Sequence, residues 1–364
     1  MAKKRVNGEG TIYYDKRRKV YRAMLTTPAG RRMTKQSKDA DTVRDWLNEQ
    51  RLLIGRNQHI EPHGITVGEW LDTWLETYAK HNTRPRTYDR YCSLLDRAKP
   101  IRNIRLVNLS SSDLQNLYNN LSQIYAGSTM KHIHFCLSGA FKQAVINNLI
   151  NINPCDRVQT PKAGKALIEI FTTAEVSSML KAAKKYPCPQ IILLAYTTGM
   201  RLSEILALDW SSVNLLNGTI SIIRTIHRSF SAGLYFADCK TASSRRVISI
   251  PKEVVNELKK YRLSSGRSEG LLFVNRANNP YDSTAYTSRV FNKIKADCGI
   301  QGKGFHSFRH THASELIKKG VPIPDVSARL GHSKISTTLD VYSHCVPSVK
   351  NIINEHISDV LATL

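Results

Sequence analysis

Arginine, histidine, lysine and tyrosine recur in the second half of this chain at spacings that allow them to act together. Arg201 and Glu204 stand three residues apart in Thr198-Gly199-Met200-Arg201-Leu202-Ser203-Glu204, at the expected start of a helix. There the unpaired backbone N–H groups and the helix dipole favour an anion. Glu204, one turn on, can orient the guanidinium. A weak surface Arg–Glu pair accounts for the same spacing. His306 and Arg309, in His306-Ser307-Phe308-Arg309-His310, share a helix face and can reach the oxygens of one phosphate. His306 and His310 also imitate half a zinc site. No Glu lies between them in the HExxH position, however, and no third ligand follows at a diagnostic distance. Lys240 falls near a turn before a strand, where a lysine is either solvated or a general acid beside a leaving group. His332 follows Gly331, a helix stop, and so falls on a turn. Ile335, Leu339 and Tyr342 recur at i, i+4 and i+7, the spacing of a core tyrosine. As a nucleophile, Tyr342 needs a cationic setting with a base, because a phenol has a pKa of about 10.

These residues require elements to hold them. From Thr172 onward the pattern reads helix, helix, strands, then helices, opened by the capping box Thr172-Thr173-Ala174-Glu175. Gly199 breaks two helices in Thr197 to Leu208, and the helix carrying His306 and Arg309 ends near Gly320. After Pro347, Ile352, Ile353, Ile357, Val360, Leu361 and Leu364 share roughly one helical face, which can pack on its own domain or on a neighbour.

Upstream, Thr66-Val67-Gly68-Glu69 is another capping box, followed by Trp70, Leu71, Trp74, Leu75 and Tyr78 at helical spacing. Further helices are expected from Arg86 to Leu95, Ser112 to Ile124 and Met130 to Leu149. The aromatic stripe reads as packing. Lys80, Arg84, Arg86 and Arg90 cluster near a helix start, on a solvated face or against phosphates.

The N-terminal segment reads as a three-stranded sheet with a helix that Asp41 caps. One sheet face is expected to pack on that helix and the other to be rich in Arg and Lys. Arg17, Arg18, Lys19, Arg22, Arg31 and Arg32 are the candidate nucleic-acid contacts, since such a ribbon fits a major groove. A solvated sheet face is the equal alternative. Polar Gly55–Gly64 and the Pro-containing stretch from Pro154 to Lys165 read as linkers.

Composition narrows the partner. Lys and Arg number 53 against 29 Asp and Glu, a net charge of +24. Self-repulsion on that scale calls for a polyanion, usually nucleic acid. No stretch reaches the roughly 18 apolar residues of a spanning helix, and the start lacks a signal-peptide core. An intracellular protein is expected. The seven cysteines are scattered without a CxxC pair, which argues against a disulfide framework or a thiolate zinc site.

Taken in order, the boxes resemble the tyrosine recombinase (phage integrase) family. Thr198 to Glu204 resembles its first-arginine box. Lys240-Thr241 with Ser243-Ser244-Arg245 resembles its β-hairpin lysine, and His306 to His310 its HxxR box. Leu330-Gly331-His332 with Tyr342 resembles its closing box. The resemblance implies a multidomain α+β chain. Residues 1–55 would form an arm-type DNA-binding domain (a small three-stranded sheet plus helix) and 64–155 a helical core-type domain. Residues 168–346 would form a mainly-α catalytic domain with a small β-sheet, and 347–364 a C-terminal helix docking in trans. It also implies that Tyr342 attacks a phosphodiester to give a 3′-phosphotyrosine, with Arg201 and Arg309 on the non-bridging oxygens. Lys240 would protonate the leaving 5′-oxygen, His306 would assist proton transfer from Tyr342, His332 would hydrogen-bond the phosphate, and Glu204 would support the site from behind.

On that resemblance no ATP, metal or other cofactor is expected. The expected partners are double-stranded attachment-site DNA, sister protomers in a tetramer, a DNA-bending protein and an excision factor, with no membrane. The expected setting is the cytoplasm of a bacterial host. A non-catalytic DNA-binding or architectural protein is the alternative of a different class, and a type IB topoisomerase shares the phosphotyrosine chemistry.

Overall fold

Alternating apolar and polar residues fold the N-terminal segment into an antiparallel sheet of order β1-β2-β3, with β1 Thr11–Asp15, β2 Val20–Thr26 and β3 Arg32–Ser37. The computed structural model describes residues 10–27, 30–55, 64–161, 164, 169–239 and 242–342. The chain divides into two compact units, Met1–Gly164 and Lys165–Leu364. In the first, Ile12, Ala23 and Lys35 pair across the sheet, as do Leu25 and Met33. Paired residues share a face, so Ala23 and Leu25 are buried against Val43 and Leu47 of α1 (Ala40–Gly55).

Two expectations change here. Asp39, not Asp41, caps α1, accepting from the Thr42 N–H at 3.0 Å. The outer sheet face is mixed rather than densely basic. The register sets Arg22 and Arg32 there with Tyr13, Met24, Thr34 and Gln36, and Arg22 lies 3.7 Å from Asp15. A period of two sends Lys35 to the α1 side, while Arg17, Arg18 and Lys19 occupy the exposed β1–β2 turn and Arg31 precedes β3.

The helical part of this unit closes a separate core. The Thr66–Glu69 capping box opens α2 (Val67–Trp74), which runs through a π-helical turn, Leu75–Ala79, into α3 (Lys80–Asn82). Then come α4 (Pro85–Leu95), α5 (Ser111–Ser122) and α6 (Gly127–Ile146). Trp70, Leu71, Trp74 and Leu75 are buried with Tyr118, Leu137 and Phe141, so the aromatic stripe is core, worth about 1.5–3 kcal/mol per large side chain. The Trp70 indole N–H donates to the Ala140 carbonyl at 3.0 Å. Lys80 is exposed and pairs with Glu76 at 2.6 Å, and Arg84, the N-cap of α4, is exposed, as are Arg86 in its first turn and Arg90 at its middle.

In the second unit the Thr172–Glu175 capping box opens α7 (Thr173–Ala183), followed by α8 (Gln190–Thr198). Gly199, at φ +66°, stops α8, and α9 (Leu202–Ile205) is a single turn. β4 (Val213–Asn214) and β5 (Thr219–Ile222) join β8 (Arg246–Ser249) in a small antiparallel sheet, order β4-β5-β8. Between them β6 (Arg224–Ser229) and β7 (Gly233–Asp238) form a hairpin. Helices complete the unit. They are α10 (Lys252–Ser265), α11 (Ser283–Tyr286) leading through a π-helical turn to α12 (Asn292–Asp297), α13 (Ser307–Lys318), α14 (Ile323–Leu330) and α15 (Ile335–Tyr342). The fold is multidomain α+β, helix-rich with small sheets. Among the described residues, no helix is long and apolar enough to cross a membrane. Lys240 and the apolar stretch after Pro347 lie outside the described residues.

Candidate active site

The glycine stop after α8 turns the chain so that Arg201 stands at the N-cap of α9. Glu204 returns to it: one carboxylate oxygen accepts from the Arg201 backbone N–H at 3.0 Å, the other from Arg201 Nη1 at 2.8 Å. Glu204 is 2% exposed, and Arg246, at the head of β8, grips the same carboxylate with Nη2 at 2.9 Å and Nη1 at 3.3 Å. Burial pushes the Glu204 pKa up. The hydrogen bond and charge of Arg246, then the charge of Arg201, outweigh it and hold the pKa below the usual range. Arg246 also donates from Nε to the Arg329 carbonyl at 2.7 Å, which ties β8 to the last turn of α14.

Arg309 lies inside the fold, 1% exposed, on the first turn of α13. Its Nη1 donates to the Gly199 carbonyl at 3.0 Å and its Nη2 to the Leu330 carbonyl at 2.7 Å. Both carbonyls lie at helix C-termini, where the dipole is negative and suits a buried cation. Burial, then the charge of Arg201, lowers its pKa to about 9, so it remains charged at neutral pH. His332 follows Gly331 (φ +70°) and its Nδ1 lies 2.8 Å from Thr338 Oγ1. Burial and the charges of Arg309, Arg201 and Arg246 hold its pKa at about 4. A Cβ on Gly331 would stand 2.9 Å from Arg246 Nη1 and 3.1 Å from the Ser243 carbonyl, so this approach needs glycine.

His306 is the N-cap of α13 and keeps an edge open to solvent. The covered part of its ring, then His310, Arg309 and Arg201, hold its pKa at about 4. His310, one turn on, meets it edge-on with ring centroids 4.8 Å apart. Tyr342, 1% exposed at the end of α15, brings its Oη to 2.8 Å from His310 Nδ1. Burial, then Arg309, lowers the His310 pKa and so favours the neutral ring. Tyr342 packs with Ala313, Ile317, Val326 and Leu330, and its oxygen reaches a titratable ring, but the expected core face of α15 is not formed: Ile335 and Leu339 are exposed, and the helix buries Thr338 and Tyr342 instead.

Hydrogen bonds and charge contacts thus link Arg201, Glu204, His306, Arg309, His332 and Tyr342 in one site. Lys240 falls outside the described residues. The candidate nucleic-acid contacts (Arg17, Arg18, Lys19, Arg22, Arg31, Arg32, Lys80, Arg84, Arg86 and Arg90) all belong to the other unit. Sequence reasoning passed over His310, Arg246 and Arg329. Arg329 Nε donates to His312 Nε2 at 3.0 Å, and its Nη2 to the carbonyls of Thr197 and Ser249, each at 3.2 Å. The i,i+4 spacing of His306 and His310 was the available signal, weighed only as half a metal site. Among the described residues no group of three or more His, Cys, Asp or Glu is placed to hold a metal ion.

The side chain of Arg201 is 37% exposed, and with the open edge of His306 it marks the accessible, cationic side of the site. Such a side suits an anion, and a buried phenol beside a neutral imidazole suits nucleophilic chemistry. Comparisons with known proteins place the chain in a family. The phage integrase family model matches residues 169–348, and that of the phage integrase N-terminal SAM-like domain matches 66–122. A tyrosine recombinase XerC-like protein of Caldanaerobacter subterraneus subsp. tengcongensis is 26% identical over 360 residues, covering 90% of each chain. An integrase of Streptomyces ambofaciens is 26% identical over 377 residues, covering 94% of each. The fold is similar to the Tn1549 transposon integrase in complex with a circular intermediate DNA, at TM-score 0.69 and 19% identity, covering 80% of this chain and 99% of that one. It is also similar to a lambda integrase dimer bound to a COC′ core site, at TM-score 0.61 and 18% identity, covering 93% and 96%. The chain belongs to the phage integrase family and is a tyrosine-type site-specific recombinase.

Proposed function

We propose that this recombinase integrates and excises a mobile element by cutting and rejoining DNA strands through a 3′-phosphotyrosine at Tyr342. The observation that carries the reading is the Tyr342 oxygen 2.8 Å from a neutral imidazole, in a site built around Arg201 and Arg309. The Tyr342 oxygen attacks the scissile phosphorus, forming the O–P bond as the bond to the 5′-oxygen breaks. Arg201 and Arg309 hold the non-bridging oxygens and offset the charge that grows on them. Lys240 protonates the departing 5′-oxygen, and His306 and His332 serve the phosphate and its proton traffic. Glu204, held by Arg246, keeps Arg201 in place. The phosphotyrosine conserves the bond energy, and the two arginines supply charge that other phosphoryl-transfer enzymes draw from a metal, so rejoining needs neither ATP nor a metal ion.

On this reading residues 1–55 bind arm-type DNA through the β1–β2 turn and the outer sheet face (Arg17, Arg18, Lys19, Arg22, Arg31 and Arg32). Residues 64–155 clasp the core site through Lys80, Arg84, Arg86 and Arg90. Residues 168–346 carry the chemistry, and 347–364 dock on a neighbouring protomer in a DNA-bound tetramer. The work takes place in the cytoplasm of a bacterial host, with a DNA-bending protein and an excision factor setting direction. The test is strand exchange between two duplexes that carry the paired attachment sites flanking the gene, run in EDTA with a bending protein supplied. Recombinant product is the expected result. Tight binding of both duplexes without product or nicking would make the chain a DNA-binding protein instead.

A further inference from the structure

We infer that His310 is a catalytic residue, the group whose Nδ1 takes the Tyr342 phenol proton as the oxygen attacks phosphorus. The inference rests on the phosphotyrosine reading above and adds a residue to it. Within α13 two histidines share a face, and the geometry separates them. His310 Nδ1 is 2.8 Å from the Tyr342 oxygen, a hydrogen-bond distance between the reacting atom and a ring nitrogen. His306 keeps an edge open to solvent and meets the other face of the pair, its ring edge-on to His310 at 4.8 Å. His306 therefore stands on the side that an anion can approach, and His310 stands between it and the nucleophile.

The surroundings keep His310 ready to accept. Among the described residues, the titratable and charged groups recorded against it are His306 and Arg309 from its own helix and Tyr342 from α15. Arg329 of α14 donates to His312, and Glu315 of α13 accepts from Tyr196 of α8 at 3.1 Å. Among the described residues, burial and the charge of Arg309 both act against the imidazolium and favour the neutral ring. The step balances. The Tyr342 O–P bond forms, the P–O5′ bond breaks, the phenol proton passes to His310 Nδ1, and the leaving 5′-oxygen takes its proton from the acid assigned to Lys240. On rejoining, the 5′-hydroxyl attacks and gives its proton back to the amine assigned to Lys240, the P–O bond to Tyr342 breaks, and the His310 imidazolium returns its proton to the departing phenolate.

The test uses the full chain on a nicked suicide duplex, with covalent adduct formation timed across pH and duplex affinity measured separately. His310→Ala is expected to bind the duplex as tightly as the unsubstituted protein and to cleave it about 100-fold more slowly at neutral pH. The deficit should narrow as pH rises toward the phenol's own ionisation, and added imidazole should restore part of the rate. His310→Asn keeps an amide where Nδ1 stood, preserving packing and a hydrogen bond but not a proton acceptor. It should be as slow as His310→Ala. Cleavage by His310→Ala within about threefold of normal, or a normal rate in His310→Asn, would overturn the assignment and leave His310 as packing or positioning. Absence of adduct with the unsubstituted protein would instead remove the phosphotyrosine reading, and the role of His310 with it.

Discussion

Glu204 brings one negative charge into a pocket that also holds Arg201, Arg246 and Arg309, and the hydrogen bonds from Arg201 and Arg246 keep it ionised there. Removing that charge strands buried cations. Glu204→Gln is expected to cost about 3–5 kcal/mol of stability, read from the denaturant midpoint, and a change below about 1 kcal/mol would contradict the arrangement. The sign with pH follows from the lowered pKa. The contribution of Glu204 is complete above the ordinary carboxylate range and is lost as pH falls through its lower native value. His312, 7% exposed and held at about 4 by burial and Arg329, works through a different window. Its neutral form stabilises the fold above the usual histidine pKa of about 6.5, and that stability drains away as pH falls from there toward 4. An NMR titration in which His312 protonates near 6.5 would contradict this. At this scale the pair one helical turn apart was legible: Arg201 with Glu204. Tyr342 with His310 and Glu204 with Arg246 were not, because they meet only through tertiary packing, 32 and 42 residues apart.

Elements hold these residues through their ends. Gly199 stops α8 at a positive φ, and a Cβ there would stand 2.7 Å from His312 Cδ2 and 2.9 Å from Leu330 Cδ2. Gly199→Ala is therefore expected to lose about 1–3 kcal/mol and to slow cleavage, since the Gly199 carbonyl also receives Arg309. Unchanged melting and cleavage would show that the turn is not what aligns the two arginines. Thr172→Ala, which removes one half of a capping box, should cost about 1 kcal/mol and leave the site geometry intact. Capping boxes were legible because their chemistry spans three residues, and Gly199 and Gly331 because only glycine takes those turns cheaply. The α1 cap was misplaced by two residues because Asp39 and Asp41 both precede the apolar face, and hydrogen bonding to Thr42 decides between them. The outer face of the N-terminal sheet proved mixed because strand register, which composition does not reveal, assigned each basic residue its side.

For the molecule as a whole, the net charge of +24 sets how it should respond to salt. Affinity for duplex DNA should fall steeply with ionic strength, and Arg84→Ala, Arg86→Ala or Arg90→Ala should each reduce the log–log slope by about 1 if that residue holds a phosphate. An unchanged slope in all three would remove α4 from the interface. The most direct measurement of the central claim is to trap the covalent complex on a nicked suicide duplex in EDTA, digest it and identify the modified peptide by mass spectrometry. One nucleotide-bearing peptide is expected, linked through Tyr342 to a 3′-phosphate, and no adduct at all from Tyr342→Phe despite unchanged binding. A covalent link at any other residue, or an adduct that persists in Tyr342→Phe, would contradict that claim.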